Sequence, residues 1–463
     1  MKALLQESHV GRFCARLARV HPDHKRIARS AVRISIFVLA GKCAGAFKEM
    51  AIAYKYGVSE VVDAYQLTLT LGTFLPTILI TAAGIVLIPS LVELGSHSRR
   101  EQARFIGELE IVSIAIGGFL ALFVWFSRDF LIELIAGGLS PEARATARQF
   151  MVAMAPLAPL ILVIYVSSAR LQARERHVNT LMECVPTLTL LVMLLAAPAQ
   201  YSIEPLMWGT ACGFVIQAVA QRYLASRSDG IHSPLRTLRN RGPASPQWRD
   251  VLRSLGIVLA GGAVIGLIGP LDQYFMASLG DGAIATMGYA NRVLALVLGM
   301  GAVAISRAIL PVFSEMLAGG ERARVRSTAF KWSFVMLGLG AAGVALPYVA
   351  APFVVELLFQ RGAFTAQDTL VVSDLFRWGL LQAPLYFATL VLVQLFACER
   401  RYREIALVAV LAFVVKAAGN YLLTPVFGLV GILLATAAMH AGSLGCYLAL
   451  SGMQRQPAAR SAR

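Results

Sequence analysis

The chain has 463 residues, of which 57% are hydrophobic and 15% are charged, and its net charge is +16. A soluble chain carries about 25% charged residues, so this composition excludes an ordinary soluble protein and indicates a membrane protein. The positive charge does not indicate nucleic-acid binding, because most of the cations gather at the two ends and in five short clusters between apolar stretches.

After a basic, polar arm at 1–30, the chain consists mainly of apolar stretches of membrane-spanning length. The arm has no apolar core followed by a small-residue cleavage site, so we expect the first helix itself to direct insertion. A span needs about 20 apolar residues. We predict twelve helices, at 31–55, 62–92, 106–127, 145–169, 179–198, 204–225, 252–278, 283–316, 329–349, 368–397, 405–423 and 427–451.

The five basic clusters fall at alternate connections between these helices: RRE (99–101), RLQARER (170–176), the arginine-rich stretch 222–253, ERARVR (321–326) and ERRYRE (399–404). The opposite connections hold only Arg128, Arg144, Arg148 and Arg361. Cytoplasmic loops carry the excess of lysine and arginine. The pattern therefore predicts a multi-pass protein of the bacterial inner membrane with both termini in the cytoplasm.

The longest polar stretch, 227–250, is rich in Ser, Pro, Gly and Arg and divides the chain into two halves of six predicted helices. We predict an N-terminal lobe at 31–226, a cytoplasmic linker at 227–250, a C-terminal lobe at 251–452 and a cytoplasmic tail at 453–463. Two related lobes with a site between them near the membrane midplane is a common transporter plan. The predicted fold class is an all-α polytopic membrane protein, with about twelve transmembrane helices in two six-helix lobes around a central cationic cavity.

Charged residues inside the predicted helices are the candidates for function, because each midplane charge costs about 2.5–3.5 kcal/mol on insertion scales. Lys42 in the first helix and Arg292 in the eighth lie near mid-depth, and Lys48 and Glu49 lie further toward the outer side. The seven-residue spacing puts Lys42 and Glu49 on one helix face, and Lys48 falls on another. An excess of cations between two lobes predicts a wet cavity for an anion, and phosphate suits the guanidinium fork.

Structural explanations of the same charges stay open. Lys48 can extend its ammonium group to the membrane surface. Asp63, predicted to open the second helix at the outer surface, can cap that helix. Asp272, just after Pro270, can pair with Lys42 or Arg292.

The chain lacks the sequence signals of the commoner enzymes. It has no GxxxxGK[ST] or HExxH motif, its outer loops are short, and its six cysteines are scattered without a CxxC. We therefore predict a protein that is not an enzyme and has no metal site or resident cofactor, although a coupling cation or the membrane potential can drive it.

Four stretches resemble the MurJ/MviN lipid II flippases of the multidrug/oligosaccharidyl-lipid/polysaccharide exporter superfamily: GKCAGAFKEMAIAYKYGVSEVVDAYQL (41–67), IPSLVEL (88–94), LDQYFMASLGDGAIATMGYANRVLALVLGMGAVAISRAILPVFSEM (271–316) and ELLFQRGAFTAQDT (356–369). By position, Lys42 and Lys48 fall where the family has arginines, Asp63 on its second-helix aspartate and Arg292 on its eighth-helix arginine. The resemblance implies that these four residues line a cavity that binds the pyrophosphate and sugar of an undecaprenyl-linked precursor. Glu49 and Asp272 are then expected to pair with the cations or bind a coupling cation.

The chain departs from the family pattern where Leu75, Pro76 and Thr77 are uncharged and at Asn291 and Ala295, and family members typically have two further helices. The expected function is a flippase for a lipid II-like, undecaprenyl-pyrophosphate-linked saccharide, working by alternating access. A flippase for an exopolysaccharide, O-antigen or capsule unit, a cation-coupled drug antiporter and a non-transporting scaffold are the alternatives. The expected partners are the lipid-linked glycan and membrane lipids; the sequence leaves the glycan and the oligomeric state open.

Overall fold

A computed structural model describes residues 22–174, 176, 178–197, 202–231, 248, 259 and 262–452. All regular structure in this part of the chain is helical, in agreement with the predicted fold class. The N-terminal half contains α1 (Pro22–Tyr56), α2 (Glu60–Leu94), α3 (Arg99–Phe126), α4 (Arg128–Ala136), α5 (Pro141–Met154), α6 (Leu157–Gln172), α7 (Val178–Met182), α8 (Val185–Ala196) and α9 (Glu204–Asp229).

The C-terminal half contains α10 (Ile268–Ala277), α11 (Ala283–Ala318), α12 (Arg322–Gly343), α13 (Ala345–Phe359), α14 (Ala366–Gly379), α15 (Gln382–Cys398), α16 (Tyr402–Phe427) and α17 (Leu429–Gly452). Within the described ranges, seven helices are long and apolar enough to cross a membrane, or nine if each of two bent pairs is one span. The count of twelve stays a prediction. Most of the predicted linker 227–250 and part of the predicted helix 252–278 lie outside the described residues.

Two predicted spans are bent, and the predicted end of the second one was wrong. The predicted helix 145–169 is the pair α5 and α6, which meet at 42° next to Pro156. The predicted helix 329–349 does not end at 349, because α13 continues to Phe359 after a 41° bend at Val344. Proline lacks a backbone N–H and breaks the ladder of hydrogen bonds at the first bend. The apolar segment 350–359, predicted to lie in a loop, is therefore helical.

Local capping signals explain where other helices begin. Ser98 and Glu101 form a reciprocal capping box at the start of α3, and Thr365 and Asp368 do the same at the start of α14. Each box satisfies amide groups that the first helical turn leaves without partners. These short polar sequences therefore fix the residues at which α3 and α14 begin.

Glycines allow helices to pack closely against three of the mid-span prolines. A Cβ on Gly117 would lie 2.3 Å from the Cα of Pro159, and one on Gly340 would lie 2.8 Å from the Cα of Pro384. Gly213 packs in the same way against Pro186. Small residues at such crossings are the usual means by which membrane helices approach. The first of these contacts joins α3 to α6 in the N-terminal half, and the second joins α12 to α15 in the C-terminal half.

The hydrophobic cores show how the two lobes meet. One large core contains residues from both halves, such as Tyr56, Tyr65, Tyr289 and Phe364. Two smaller cores lie away from the large one. One is formed by the C-terminal half and the other by the N-terminal half. The lobes therefore share a core at one end of the molecule and have separate cores at the other. We call the shared end, which contains residues 54–66, 138–140, 277–289 and 361–364, the closed end, and the other the open end.

Backbone groups at the closed end fit together without room for additional atoms. The amide of Ala363 donates to the carbonyl of Tyr54 at 2.9 Å, and the hydroxyl of Tyr289 donates to the carbonyl of Gly57 at 2.9 Å. Gly57 has a positive φ of 57°, and a Cβ there would lie 2.3 Å from the carbonyl oxygen of Ala363. A glycine is thus required on both conformational and steric grounds.

Replacing Gly57 with alanine is expected to separate the lobes at the closed end. The left-handed conformation costs an alanine about 1–2 kcal/mol, and the clash with Ala363 occurs only when the lobes are together. The measurement is the yield of a disulfide between Ser140→Cys and Asp281→Cys, two positions joined by a 3.0 Å hydrogen bond across the lobes. The native cysteines are first replaced, and the yield should fall in Gly57→Ala.

The matched control for this experiment is Gly118→Ala on α3, because a Cβ at Gly118 meets no atom within 4 Å. That variant should form the disulfide as efficiently as the parent chain. Equal yields in the Gly57 and Gly118 variants would contradict the close fit of the closed end.

A buried ionic network joins three helices at the open end of the N-terminal lobe. The guanidinium group of Arg170 donates to Asp229 at 2.8 and 3.0 Å and to Glu110 at 2.9 Å. Glu110 also accepts from Arg222 at 3.1 Å. The Arg170 side chain is 1% exposed, although the sequence placed it among the loop cations. The signal that sequence analysis missed is Glu110, an acid within a predicted apolar helix.

Candidate functional site

A cavity of about 410 Å³ lies between α1 and α11, one helix from each lobe. Its wall contains Lys42, Lys48 and Glu49 from α1 and Arg292 from α11. Glu183, which follows the short helix α7, adds a second carboxylate. The structure thus brings together four of the six site residues singled out from the sequence. Lys48, predicted on a different face of the helix from Lys42, also lies in this wall.

Small residues of α1 provide the space for this cavity. Gly41, Gly45 and Ala46 lie among the charged residues in its wall. A Cβ at Gly41 would lie 3.1 Å from the Sγ of Cys184, whereas one at Gly45 would meet nothing within 4 Å. The helix therefore exposes backbone where larger side chains would fill the cavity.

Glu49 connects the two lobes by ion pairs. Its Oε1 lies 2.6 Å from the Nζ of Lys48 and 2.8 Å from the Nε of Arg292. The Glu49 side chain is buried, whereas that of Arg292 is 44% exposed. The remaining guanidinium nitrogens of Arg292 can therefore bind a ligand while Nε stays on Glu49, because the guanidinium group carries five N–H donors.

Lys42 is the free cation of this group. Its side chain is exposed, and it makes no ion pair with any residue in the described ranges. Its Nζ would lie 3.7 Å from a Cβ placed on Gly299, seven residues after Arg292 on the same helix. Lys42 therefore extends from α1 toward the face of α11 that carries Arg292, and it is available to an anion.

Asp63 has contacts different from those expected. The residue lies in the first turn of α2, as predicted, but it is fully buried and is not part of the cavity wall. Its carboxylate accepts hydrogen bonds from the amides of Gly282 and Ala285, the latter at 2.6 Å. These amides lie at the start of α11, where backbone donors and the helix dipole favour a negative charge. Asp63 thus caps a helix of the opposite lobe; substrate binding by Asp63 stays a prediction.

Asp272 pairs with neither Lys42 nor Arg292. Its Oδ1 lies 2.9 Å from the Nζ of Lys416 and accepts from the Nδ2 of Asn420 at 2.8 Å. The ammonium group of Lys416 also donates to the carbonyl of Ile432 at 3.0 Å and the hydroxyl of Thr436 at 2.6 Å. Lys416 is fully buried, so this pair lies in the interior of the C-terminal lobe, outside the wall of the central cavity. A coupling role for Asp272 stays a prediction.

Known proteins resemble this chain in sequence and in fold. The family described as "Lipid II flippase MurJ" matches residues 52–462. A protein of Synechocystis sp. named "Probable lipid II flippase MurJ" is 27% identical over 449 residues, which cover 92% of this chain and 81% of that protein. A solved structure titled "Lipid II flippase MurJ, inward closed conformation" superposes with a TM-score of 0.73 at 18% identity, covering 91% of this chain and 87% of the other.

The fold is also found in drug exporters. The "Inward-facing conformation of a multidrug resistance MATE family transporter of the MOP superfamily" gives a TM-score of 0.72 at 14% identity, covering 91% of this chain and 99% of that one. The family match extends over most of the sequence, which confirms the resemblance found in the motifs and the prediction of a transporter, not an enzyme. The chain belongs to the MurJ family of lipid II flippases.

Proposed function

We propose that this chain carries a lipid II-like, undecaprenyl-pyrophosphate-linked saccharide from the inner to the outer leaflet of the bacterial inner membrane. The observation that carries the proposal is the convergence of Lys42, Lys48 and Arg292 from both lobes on one cavity. Three cations face two carboxylates there, so an anion is needed to balance the site. The names of the related proteins point to the same substrate.

Glu49 partly neutralises the cations of the cavity before a substrate binds. Unpaired cations inside a membrane are costly, and the ion pairs of Glu49 with Lys48 and Arg292 lower that cost. A pyrophosphate offers Arg292 and Lys42 more oxygen atoms than one carboxylate can, and charge-assisted bonds to phosphate are about twice as strong as neutral ones. The substrate then binds Lys42 and the remaining nitrogens of Arg292 while the Nε of Arg292 stays on Glu49.

We assign the closed end to the outer side of the membrane and the open end to the cytoplasm. The basic clusters at 99–101, 170–176, 321–326 and 399–404 follow the ends of helices that point away from the closed end, and cytoplasmic loops carry such clusters. This orientation puts both termini in the cytoplasm and opens the cavity to the leaflet in which the precursor is made. The lobes, proposed at 31–226 and 251–452, then rock to open the other side.

Expression of the chain is expected to restore growth to a bacterium depleted of its own lipid II flippase. The cation site and the family membership both predict that lipid II is accepted as substrate. Colony formation after depletion is the measurement, with membrane levels of the chain checked by immunoblot. An empty vector and an unrelated twelve-helix membrane protein are the controls.

The direct companion measurement is transport of fluorescent lipid II across proteoliposomes that contain the purified chain. Rescue together with transport would establish the function. A chain that reaches the membrane at normal levels but supports neither growth nor transport would contradict lipid II as the substrate.

A further inference from the structure

A second cavity, here called the lobe pocket, lies inside the N-terminal lobe between α2, α6, α8 and α9. It has a volume of about 550 Å³, within the usual range of about 300–1,000 Å³ for small-ligand sites. We propose that the lobe pocket binds the saccharide of the transported molecule, which carries hydroxyl and amide groups. The phosphates of the same molecule would bind in the adjacent central cavity. This inference rests on the proposed function and names where the sugar lies.

One face of α2 presents hydroxyl groups to the lobe pocket. Tyr65, Thr73 and Thr77 recur at four-residue multiples and line its wall. The hydroxyls of Thr73 and Thr77 donate to the carbonyls of Leu69 and Thr73, each at 2.7 Å. Because each hydroxyl also has lone pairs, these groups remain available as hydrogen-bond acceptors.

Two buried polar atoms in the wall have no partner among the described residues. They are the hydroxyl of Tyr165 and the Oε1 of Gln221, and Gln221 is 1% exposed. Buried polar atoms in proteins are almost always hydrogen-bonded to protein or water, so these two atoms in residues of the wall indicate a polar partner. Neither atom has accessible surface, so a rotation of its side chain would bring it to an occupant of the lobe pocket. A glutamine carbonyl accepts from a hydroxyl or an amide, and a tyrosine hydroxyl can donate to one.

The chemistry of the wall distinguishes between classes of occupant. Lys48 and Glu183 are the charged residues of the wall, and its polar side chains elsewhere are Tyr, Thr, Ser and Gln, set among apolar Leu, Ile, Pro and Phe side chains. An alkyl chain would leave Tyr165 and Gln221 without water or partners, which is costly. A neutral molecule with hydroxyls and amides satisfies them.

The lobe pocket adjoins the central cavity. Lys48 and Glu183 line both. A ligand whose phosphates bind Lys48 and Arg292 therefore has its next chemical group at the mouth of the lobe pocket. In a pyrophosphate-linked saccharide, that next group is the first sugar.

The test measures binding of two probes to the purified full-length chain in lipid nanodiscs: undecaprenyl pyrophosphate, which has no sugar, and lipid II. The variant is Tyr165→Phe with Gln221→Leu, which removes both unpaired oxygens and keeps the side-chain volumes similar. We expect about a tenfold weaker affinity for lipid II, the loss of two modest hydrogen bonds, and a change within about twofold for undecaprenyl pyrophosphate.

Tyr223→Phe is the matched control, because Tyr223 lies on α9 near Gln221 but is exposed and outside the lobe pocket. It should bind both probes as the parent chain does. Unchanged lipid II affinity in the double variant, or equal losses for both probes, would overturn the sugar site and indicate water or a structural role. A parent chain that binds neither probe would overturn the proposed function itself.

Discussion

Replacing Arg292 with alanine is expected to abolish rescue of cells depleted of their lipid II flippase and to reduce lipid II transport at least about tenfold. Each hydrogen bond to a charged group contributes about 1.5–3 kcal/mol, and about 1.4 kcal/mol corresponds to a factor of ten. The substitution also leaves Glu49 with Lys48 alone, so the ion pair that joins α1 to α11 is lost. The transport rate in proteoliposomes and colony formation measure the effect.

Two further variants separate charge from geometry. Arg292→Lys keeps the charge but loses the planar fork that binds phosphate oxygens in pairs, so we expect intermediate transport. Arg324→Ala removes an exposed arginine whose ion pair among the described residues is with nearby Glu321, and transport should remain unchanged. Arg292→Ala with the transport rate of the parent chain, at equal amounts in the membrane, would disprove the role of the cationic cavity.

Replacing Arg170 with methionine is expected to destabilise the N-terminal lobe by about 3–5 kcal/mol, the usual cost of removing one partner from a buried ion pair. Methionine has a similar length, so the change leaves little empty space but deprives Asp229 of two hydrogen bonds and Glu110 of one. Both carboxylates stay buried. The unfolding free energy from detergent–SDS titration of the purified chain is the measurement.

Arg222→Met is the matched control for that experiment. Arg222 pairs with the same Glu110, but its side chain is 37% exposed. Partly exposed ion pairs contribute about 0–1 kcal/mol, so this variant should lose little stability. A similar small loss in Arg170→Met would show that the three-helix network adds no stability to the lobe.

The charges of the central cavity could be predicted from sequence because their signal is local. Lys42 and Arg292 interrupt long apolar stretches, and the insertion cost of each is evident without knowing any partner. Glu49 follows by helical periodicity, since it lies two turns after Lys42. The family motifs contain the same residues. The insertion cost of the charges and the family resemblance therefore indicate the same wall of the cavity.

Partners distant along the chain could not be predicted. Asp63 and the start of α11 are 219 residues apart, and Asp272 and Asn420 are 148 apart. At the membrane depth predicted for each of these acids, several cations or helix ends were possible partners. Only the packing of the helices decided among them, because a carboxylate reaches just the few donors next to it.

The sequence by itself determined that the chain is a helical membrane transporter, how its cationic loops alternate and which charges lie within its helices. These properties are sums over neighbouring residues, which hydropathy and periodicity capture. The tertiary structure decided that Arg170 is buried, that Lys416 binds Asp272 and that the lobe pocket lies inside the N-terminal lobe. Such features depend on which faces of separate helices meet, and that choice is made by side-chain packing across the whole fold.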